Sequence, residues 1–142
     1  MLQFHQENRA LVTLAVQSRA SSRLLLFNDQ LQLCGRRIGK AQTVISSLPP
    51  QAGEARRASP DRHPERSEES ALAFSGIHVI SPRLLPMITE DGVFSIIDVY
   101  LRLAAQGEKT LAFRADEYYW RDLGRPFDLA QAARDLEQKA FS

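Results

Sequence analysis

Apolar residues occur along the chain in short runs of strand length, separated by turn residues. The first run, residues 11–16, is almost unbroken, which is typical of a strand that is covered on both faces. The second run, residues 24–27, ends at the turn pair Asn28-Asp29, and a third run around residues 31–38 closes at Gly39. The second and third runs therefore predict a β-hairpin.

The later part of the chain mixes strands with helices. Residues 71–80 predict a strand in which Gly76 marks a bulge or a close approach of the backbone to a ligand. Ser95 and Asp98 have the spacing of a capping box that opens a helix, and Gly107 ends it. The remaining predicted elements are a short turn of helix from Pro82, a strand at 109–114, and a helix at 126–140 with Leu129, Ala132, Ala133 and Leu136 on one face. Together these elements predict an α/β fold with a mixed or mostly parallel sheet.

Residues 49–70 differ in kind from their flanks. They hold four of the seven prolines and nine charged residues, and the only side chains they could bury are three alanines. Ordering 22 backbones costs on the order of 20–40 kcal/mol, whereas burying an alanine methyl returns under about 1 kcal/mol. We expect a disordered insertion within a single domain, because neither flank alone has enough strands to close a core.

Composition narrows the class of protein. The 142 residues suit one domain, and 18 basic against 17 acidic residues give no general case for nucleic acid or an anionic membrane as partner. No apolar run approaches the roughly 18 residues that cross a bilayer, and the first residues lack the pattern of a signal peptide. A single cysteine excludes an internal disulfide. These features lead us to expect a cytoplasmic protein.

The segment CGRRIGK, which begins at Cys34, is superficially similar to a phosphate-binding P-loop. That motif needs four residues between its glycines and a Ser or Thr after the lysine. Here three residues separate Gly35 from Gly39, and Ala41 follows the lysine, so we reject the P-loop. The basic residues of the segment are expected to be solvated charges on an edge strand. They are Arg36, Arg37 and Lys40.

Asp122 is the candidate functional residue that the chemistry alone suggests. It follows the aromatic residues Tyr118, Tyr119 and Trp120 and precedes the predicted helix at Pro126. Open α/β sheets bind ligands beyond the carboxyl ends of their strands, which is where such a junction lies. The alternative is a solvated turn aspartate paired with Arg121 or Arg125. The three histidines are scattered and suggest no catalytic triad or zinc site.

Several segments, taken in order, resemble the carboxy-terminal half of sugar-1-phosphate nucleotidyltransferases of the mannose-1-phosphate guanylyltransferase type. They include ALAFSGIHVISP, FSIIDVYLRLA and YYWRDLGRPFDLAQA, and the resemblance covers nearly everything except residues 49–70. It implies a Rossmann-like fold and an enzyme that joins an NTP to a sugar 1-phosphate, releasing pyrophosphate with Mg²⁺. It also implies that Asp122 is a metal ligand. Gly76, Trp120 and Gly124 are the implied substrate-binding residues.

The printed sequence departs from that family pattern. It contains no glycine-rich triphosphate loop and no counterpart of the family's other metal-binding aspartate. We therefore expect a partial fold without the nucleotide-binding half, inactive as this chain alone, with no catalytic residue of its own. A non-catalytic module that binds sugar phosphates, or an interaction module, is the alternative function. We also expect self-association through an exposed edge of the strand at residues 11–16.

Overall fold

A mixed six-stranded sheet is the centre of the fold, which the computed structural model describes for residues 1–45 and 70–140. The strands are β1 (Val12–Gln17), β2 (Arg23–Phe27), β3 (Leu33–Ile38), β4 (Ala41–Val44), β5 (Ser70–Ile80) and β6 (Thr110–Arg114). Their order in the sheet is β4-β3-β2-β5-β1-β6. The helices are α1 (Leu2–Glu7), α2 (Ile96–Ala105) and α3 (Pro126–Ala140), with a 3₁₀ helix at Pro82–Met87. The predicted α/β class, a mixed sheet with flanking helices, is confirmed at this level.

Strand β1 lies in the interior of the sheet. All six of its residues are buried, and it pairs antiparallel with β5 on one side and parallel with β6 on the other. Its near-continuous apolar run therefore has the predicted cause, since both faces are covered. The prediction that this strand presents an exposed edge is wrong, because each edge has a strand neighbour.

The predicted hairpin is present as β2 and β3, and its turn is organised by Asn28. The Asn28 side chain accepts hydrogen bonds from the backbone N–H groups of Gln30 and Gln32, at 3.0 and 2.9 Å. Such local bonds are the reason that Asn favours turns. The turn also reaches β6, because the N–H of Ala112 donates to the carbonyl of Leu31 at 2.8 Å.

Strand β4, which the sequence pattern did not predict, follows the hairpin. It pairs antiparallel with β3 through a turn at Gly39, where φ is +56°. Strand β3 therefore lies between two neighbours. The prediction that Arg36 and Arg37 lie on an edge strand is wrong for this reason, and Lys40 is an exposed residue of the turn.

Strand β5 contains the predicted bulge. The register with β1 passes from Leu14–His78 to Val16–Phe74, so β5 carries two extra residues where β1 advances by two. Gly76 lies among them with φ +77°, a conformation that L side chains rarely adopt. Beyond residue 72, only β1 pairs with β5 among the described residues. One edge of that stretch therefore has no strand neighbour there, and self-association through a sheet edge stays a prediction.

The hydrophobic core forms one cluster between the sheet and α2. Its largest fully buried side chains include Tyr100, Phe27, Leu11 and Leu14. Burying a side chain of this size stabilises the fold by about 1.5–3 kcal/mol. Helix α2 contributes Val99, Tyr100, Leu103 and Ala104 to the buried set.

Helix α2 begins and ends close to the predicted residues, but the predicted capping box is wrong. Ser95 is the N-cap residue, yet its side chain makes no capping hydrogen bond. The carboxylate of Asp98 pairs with Arg36 of β3 instead. The end of the helix is as predicted, with Gly107 at φ +88° just beyond it. Asp98 therefore forms an ion pair with a neighbouring strand instead of capping its own helix.

Helix α3 matches the predicted range, but its predicted buried face is largely exposed. Only Ala132 of that face is buried, whereas Leu129 and Leu136 are 60% and 59% exposed. Ala133 is exposed as well. The helix is held instead by polar contacts of Asp135, described below.

The predicted disordered tract lies almost entirely outside the described residues, which resume at Ser70 as the first residue of β5. None of the helices in the described ranges is long and apolar enough to cross a membrane.

Candidate functional site

A cavity of about 690 Å³ opens where β1 ends, between the β2–β3 hairpin and the segment that follows β6. Gly76, Trp120 and Asp122 all line it, so the fold brings together three of the four residues that the resemblance names. Gly124, the fourth, is not among its lining residues. Clefts of this volume are typical of small-molecule sites.

The segment after β6 is a loop rather than a continued strand. Strand β6 ends at Arg114, as predicted, and residues 115–125 form no further strand. The loop is anchored to the sheet by Gln17, whose side-chain amide donates to the carbonyls of Ala115 and Tyr118 at 2.7 and 2.8 Å. These bonds join residues about a hundred positions apart and fix the start of the loop against the end of β1.

Asp135 of α3 holds the other side of the loop. Its carboxylate accepts hydrogen bonds from the hydroxyl of Tyr119 at 2.7 Å and from the guanidinium of Arg121 at 3.0 Å. The amide of Gln131 also donates to it, at 2.8 Å. These hydrogen bonds keep the pKa of Asp135 below its usual value. Helix α3 thereby acts as a brace for the loop that carries Trp120.

Trp120 packs against the end of the sheet and under Arg19. Its indole N–H donates to the carbonyl of Ser75, in the bulge of β5, at 2.8 Å. The guanidinium of Arg19 lies 3.8 Å from the centre of its ring, which is a cation–π contact. The indole therefore forms part of the floor of the cavity rather than a side chain free in solvent.

Asp122 is held by a local turn. Its Oδ1 accepts a hydrogen bond from the N–H of Gly124 at 2.9 Å, and a Cβ on Gly124 would lie only 3.1 Å from the same oxygen. The glycine therefore fits closely beside the carboxylate and fixes its direction. The alternative prediction of a solvated turn aspartate agrees with this exposed turn, but the predicted pairing with Arg121 or Arg125 is wrong in the described residues, where Arg121 contacts Asp128 and Asp135 instead.

Arginines dominate the charge of the cavity. Among the described residues, Asp122 is the one acidic residue that lines it, together with four arginines: Arg19, Arg23, Arg36 and Arg37. Burial lowers the pKa of Arg19, and the nearby Asp122 carboxylate partly opposes that shift. Arg36 pairs with Asp98, and Arg37 contacts the side chain of Gln42 at 3.3–3.4 Å. Such a cluster attracts anions, with the fork geometry that suits phosphate.

The sequence pattern did not indicate this cluster. The local pattern predicts solvated charges at Arg36 and Arg37 and carries no signal for Arg19. Their common location depends on strand pairing between distant segments, so no local spacing signals it. The sequence gives one sign of such a cluster, which is that all four arginines lie within the first 37 residues.

The predicted Mg²⁺ site is represented in the structure by a single carboxylate. Magnesium in such enzymes is held by one or two carboxylates together with substrate phosphates. Residues 1–45 and 70–140 contain no group of three or more His, Cys, Asp or Glu side chains that could hold a metal ion. The other charged side chains among the described residues that line the cavity are the four arginines. Among the described residues, Asp122 could therefore supply one carboxylate to magnesium only together with substrate phosphates, and a metal-binding role for Asp122 stays a prediction.

The histidines of the described ranges have structural contacts. His5 is buried and hydrogen bonds through Nδ1 to the hydroxyl of Thr13 at 2.9 Å, and burial lowers its pKa. His78 is exposed, and its Nδ1 lies 2.7 Å from the hydroxyl of Tyr100. Neither lines the arginine-rich cavity.

No family model matches the chain, and comparisons with curated proteins and with solved structures likewise found no match.

Proposed function

We propose that this chain is the carboxy-terminal part of a sugar-1-phosphate nucleotidyltransferase. Its arginine-lined cavity is then the part of the active site that receives the sugar 1-phosphate. The observation that supports this proposal is the shared location of Gly76, Trp120 and Asp122. These residues come from two motifs of the resemblance, and they line one cavity with four arginines. A mixed sheet with flanking helices is compatible with the Rossmann-like fold that the resemblance implies.

In the proposed reaction, an oxygen of the sugar phosphate attacks the α-phosphorus of an NTP, and pyrophosphate leaves. The arginines of this chain hold the negative phosphate and orient the attacking oxygen. Gly76 leaves room beside the backbone of β5, because a Cβ there would have no atom within 4 Å. Magnesium, when bound, offsets the charge that accumulates on the phosphates.

We further propose that the chain does not catalyse this reaction alone. Phosphoryl-type transfer depends on positioning and on neutralising charge. The printed sequence has no triphosphate loop, and the described cavity has one carboxylate. The test is to incubate the purified chain with an NTP, mannose 1-phosphate and Mg²⁺. No NDP-sugar is expected, and its formation would show that the chain is a complete enzyme.

A non-catalytic module that binds sugar phosphates is the second candidate function. The excess of arginines over carboxylates in the cavity favours it, because such a site needs no metal to hold a phosphate. Isothermal titration with mannose 1-phosphate, with and without Mg²⁺, separates the candidates. Binding that is indifferent to Mg²⁺ supports the module, whereas binding that Mg²⁺ strengthens supports the nucleotidyltransferase. No binding by the isolated chain favours an enzyme part that needs residues outside it.

A further inference from the structure

Two buried polar atoms without partners lie beside the same indole. In the described part of the chain, three buried side-chain nitrogen or oxygen atoms have no hydrogen-bond partner. Two of them, Nε of Arg19 and Oγ of Ser75, belong to residues that line the arginine-rich cavity. Buried donors and acceptors are almost always satisfied, so two exceptions at one site point to a ligand.

Trp120 links the two atoms. Its ring lies under the Arg19 guanidinium, and its N–H is bonded to the carbonyl of Ser75. Within the part of the chain that the structure describes, the Arg19 side chain donates one hydrogen bond, from Nη2 to the carbonyl of Phe74 at 3.0 Å. This bond and the stacking hold the guanidinium in place while its Nε–H remains unpaired. The arrangement is that of an anion site covered by an aromatic ring.

A second cavity also borders this ring. It has a volume of about 230 Å³ and is lined largely by apolar and aromatic side chains, including Ile77, Phe113 and Tyr118. Ser75 and Trp120 line both cavities. A shift of the indole would therefore join an arginine-lined space to an apolar one. It would also uncover Nε of Arg19 and the hydroxyl of Ser75.

We propose that Arg19 and Ser75 form a phosphate-binding element, which Trp120 covers in this structure and which opens when the indole moves. The ligand class is a phosphate monoester, whose oxygens accept from the Arg19 fork and from the Ser75 hydroxyl. The organic group of that monoester then occupies the space beside the displaced indole. The phosphate-binding element does not depend on the proposed function. The identification of the organic group as a sugar does rest on that proposed function.

The tryptophan is the only one in the chain, so its emission reports directly on the proposed movement. The purified 142-residue chain is titrated with inorganic phosphate and with mannose 1-phosphate, and tryptophan emission and heat of binding are followed. Both ligands are expected to change the emission. An unchanged emission at calorimetric saturation overturns the movement of Trp120, and the absence of any binding overturns the phosphate element itself.

Variants of Arg19 test the assignment of the phosphate contact. Arg19→Gln is expected to weaken binding of inorganic phosphate by about tenfold or more, since a charged hydrogen bond is lost. The phosphate affinity of Arg19→Lys is expected to lie between those of the unaltered chain and Arg19→Gln, because lysine keeps the charge without the two-pronged geometry of the guanidinium. Ser75→Ala is expected to weaken binding without lowering thermal stability, because its hydroxyl has no partner to lose. Arg134→Gln, an exposed site on α3, is the control of equal charge change.

The results separate this inference from the proposed function. If Arg19→Gln binds phosphate as tightly as the unaltered chain, the phosphate element is wrong. If that variant fails to fold by circular dichroism, the Lys variant and the emission of the unaltered chain still decide the outcome. If phosphate binds through Arg19 but mannose 1-phosphate binds no tighter, the element stands and the sugar-phosphate function fails. If mannose 1-phosphate binds tightly and Arg19→Gln does not weaken that binding, the sugar-phosphate function stands and the phosphate element is wrong.

Discussion

Substitution of Gly76 by alanine separates a backbone role of this residue from a ligand-binding role. Gly76 has φ +77°, and a Cβ built on it meets no atom within 4 Å. The cost to stability therefore comes from the backbone conformation and not from a clash. A left-handed conformation costs an L residue roughly 1–2 kcal/mol. For a domain of this size that lowers the melting temperature by roughly 2–8 °C.

Gly107 supplies a matched control. It too has a positive φ, +88°, and a Cβ there also meets nothing within 4 Å. It follows α2 and is not among the residues that line the arginine-rich cavity. Gly76→Ala and Gly107→Ala should therefore lose similar stability in thermal or urea unfolding. The two variants should differ only in ligand binding.

The binding assay is isothermal titration with mannose 1-phosphate. If the sugar lies against β5 at Gly76, the added methyl group occupies ligand space. Affinity should then fall about tenfold or more, equivalent to roughly 1.4 kcal/mol, while Gly107→Ala binds normally. Equal binding by both variants would show that Gly76 serves the bulge alone. A much larger loss of stability in Gly76→Ala than in Gly107→Ala would contradict the finding that a Cβ at Gly76 meets no other atom.

Three further predictions concern stability. Hydrogen bonding to Arg102 lowers the pKa of Glu90 to about 2, so its stabilising effect is complete above its ordinary pKa of 4.5 and is lost as the pH falls toward 2. The difference in urea midpoint between the unaltered chain and Glu90→Gln should shrink over that range, and a constant difference would contradict the linkage. Tyr100→Phe removes the bond to His78 and should cost about 0.5–1.5 kcal/mol in urea unfolding; no loss would show that the bond is not stabilising. Gly35→Ala places a Cβ 2.4 Å from the carbonyl oxygen of Thr43 in β4, and the shift that this contact forces should lower the unfolding free energy by about 1–3 kcal/mol. An unchanged unfolding free energy would contradict the close pairing of β3 with β4.

The predictions from sequence succeeded where a local pattern determines the structure. The apolar run of β1, the Asn28 turn of the hairpin and the glycine bulge of β5 each have a cause within a few residues. Strand β4 was missed because all four of its residues are exposed and carry no alternation of apolar and polar side chains. It forms because β3 offers a free edge, which is a tertiary cause.

The candidate site was predictable only in part, for the same reason. Glycine, tryptophan and aspartate came from motifs, and the structure places Gly76, Trp120 and Asp122 around one cavity. The charge of that cavity comes from β2, β3 and the end of β1, which no motif links to them. Capping by Ser95 and Asp98 failed similarly, because an ion pair with Arg36 competes for the acid. Long-range pairing decided these side chains, and short spacings could not reveal it.

The central place of β1 in the sheet also has a consequence for the order of folding. Its two neighbours are β5 and β6, so Val12 meets Ile80 on one side and Thr110 on the other. During synthesis, β1 through β4 emerge long before either neighbour exists, and β1, whose six residues are all buried in the finished sheet, must wait for its partners. Contacts so far apart in sequence slow folding and leave the nascent chain open to aggregation. Folding yield should therefore depend on chaperones or low temperature more than the stability of the finished sheet would suggest.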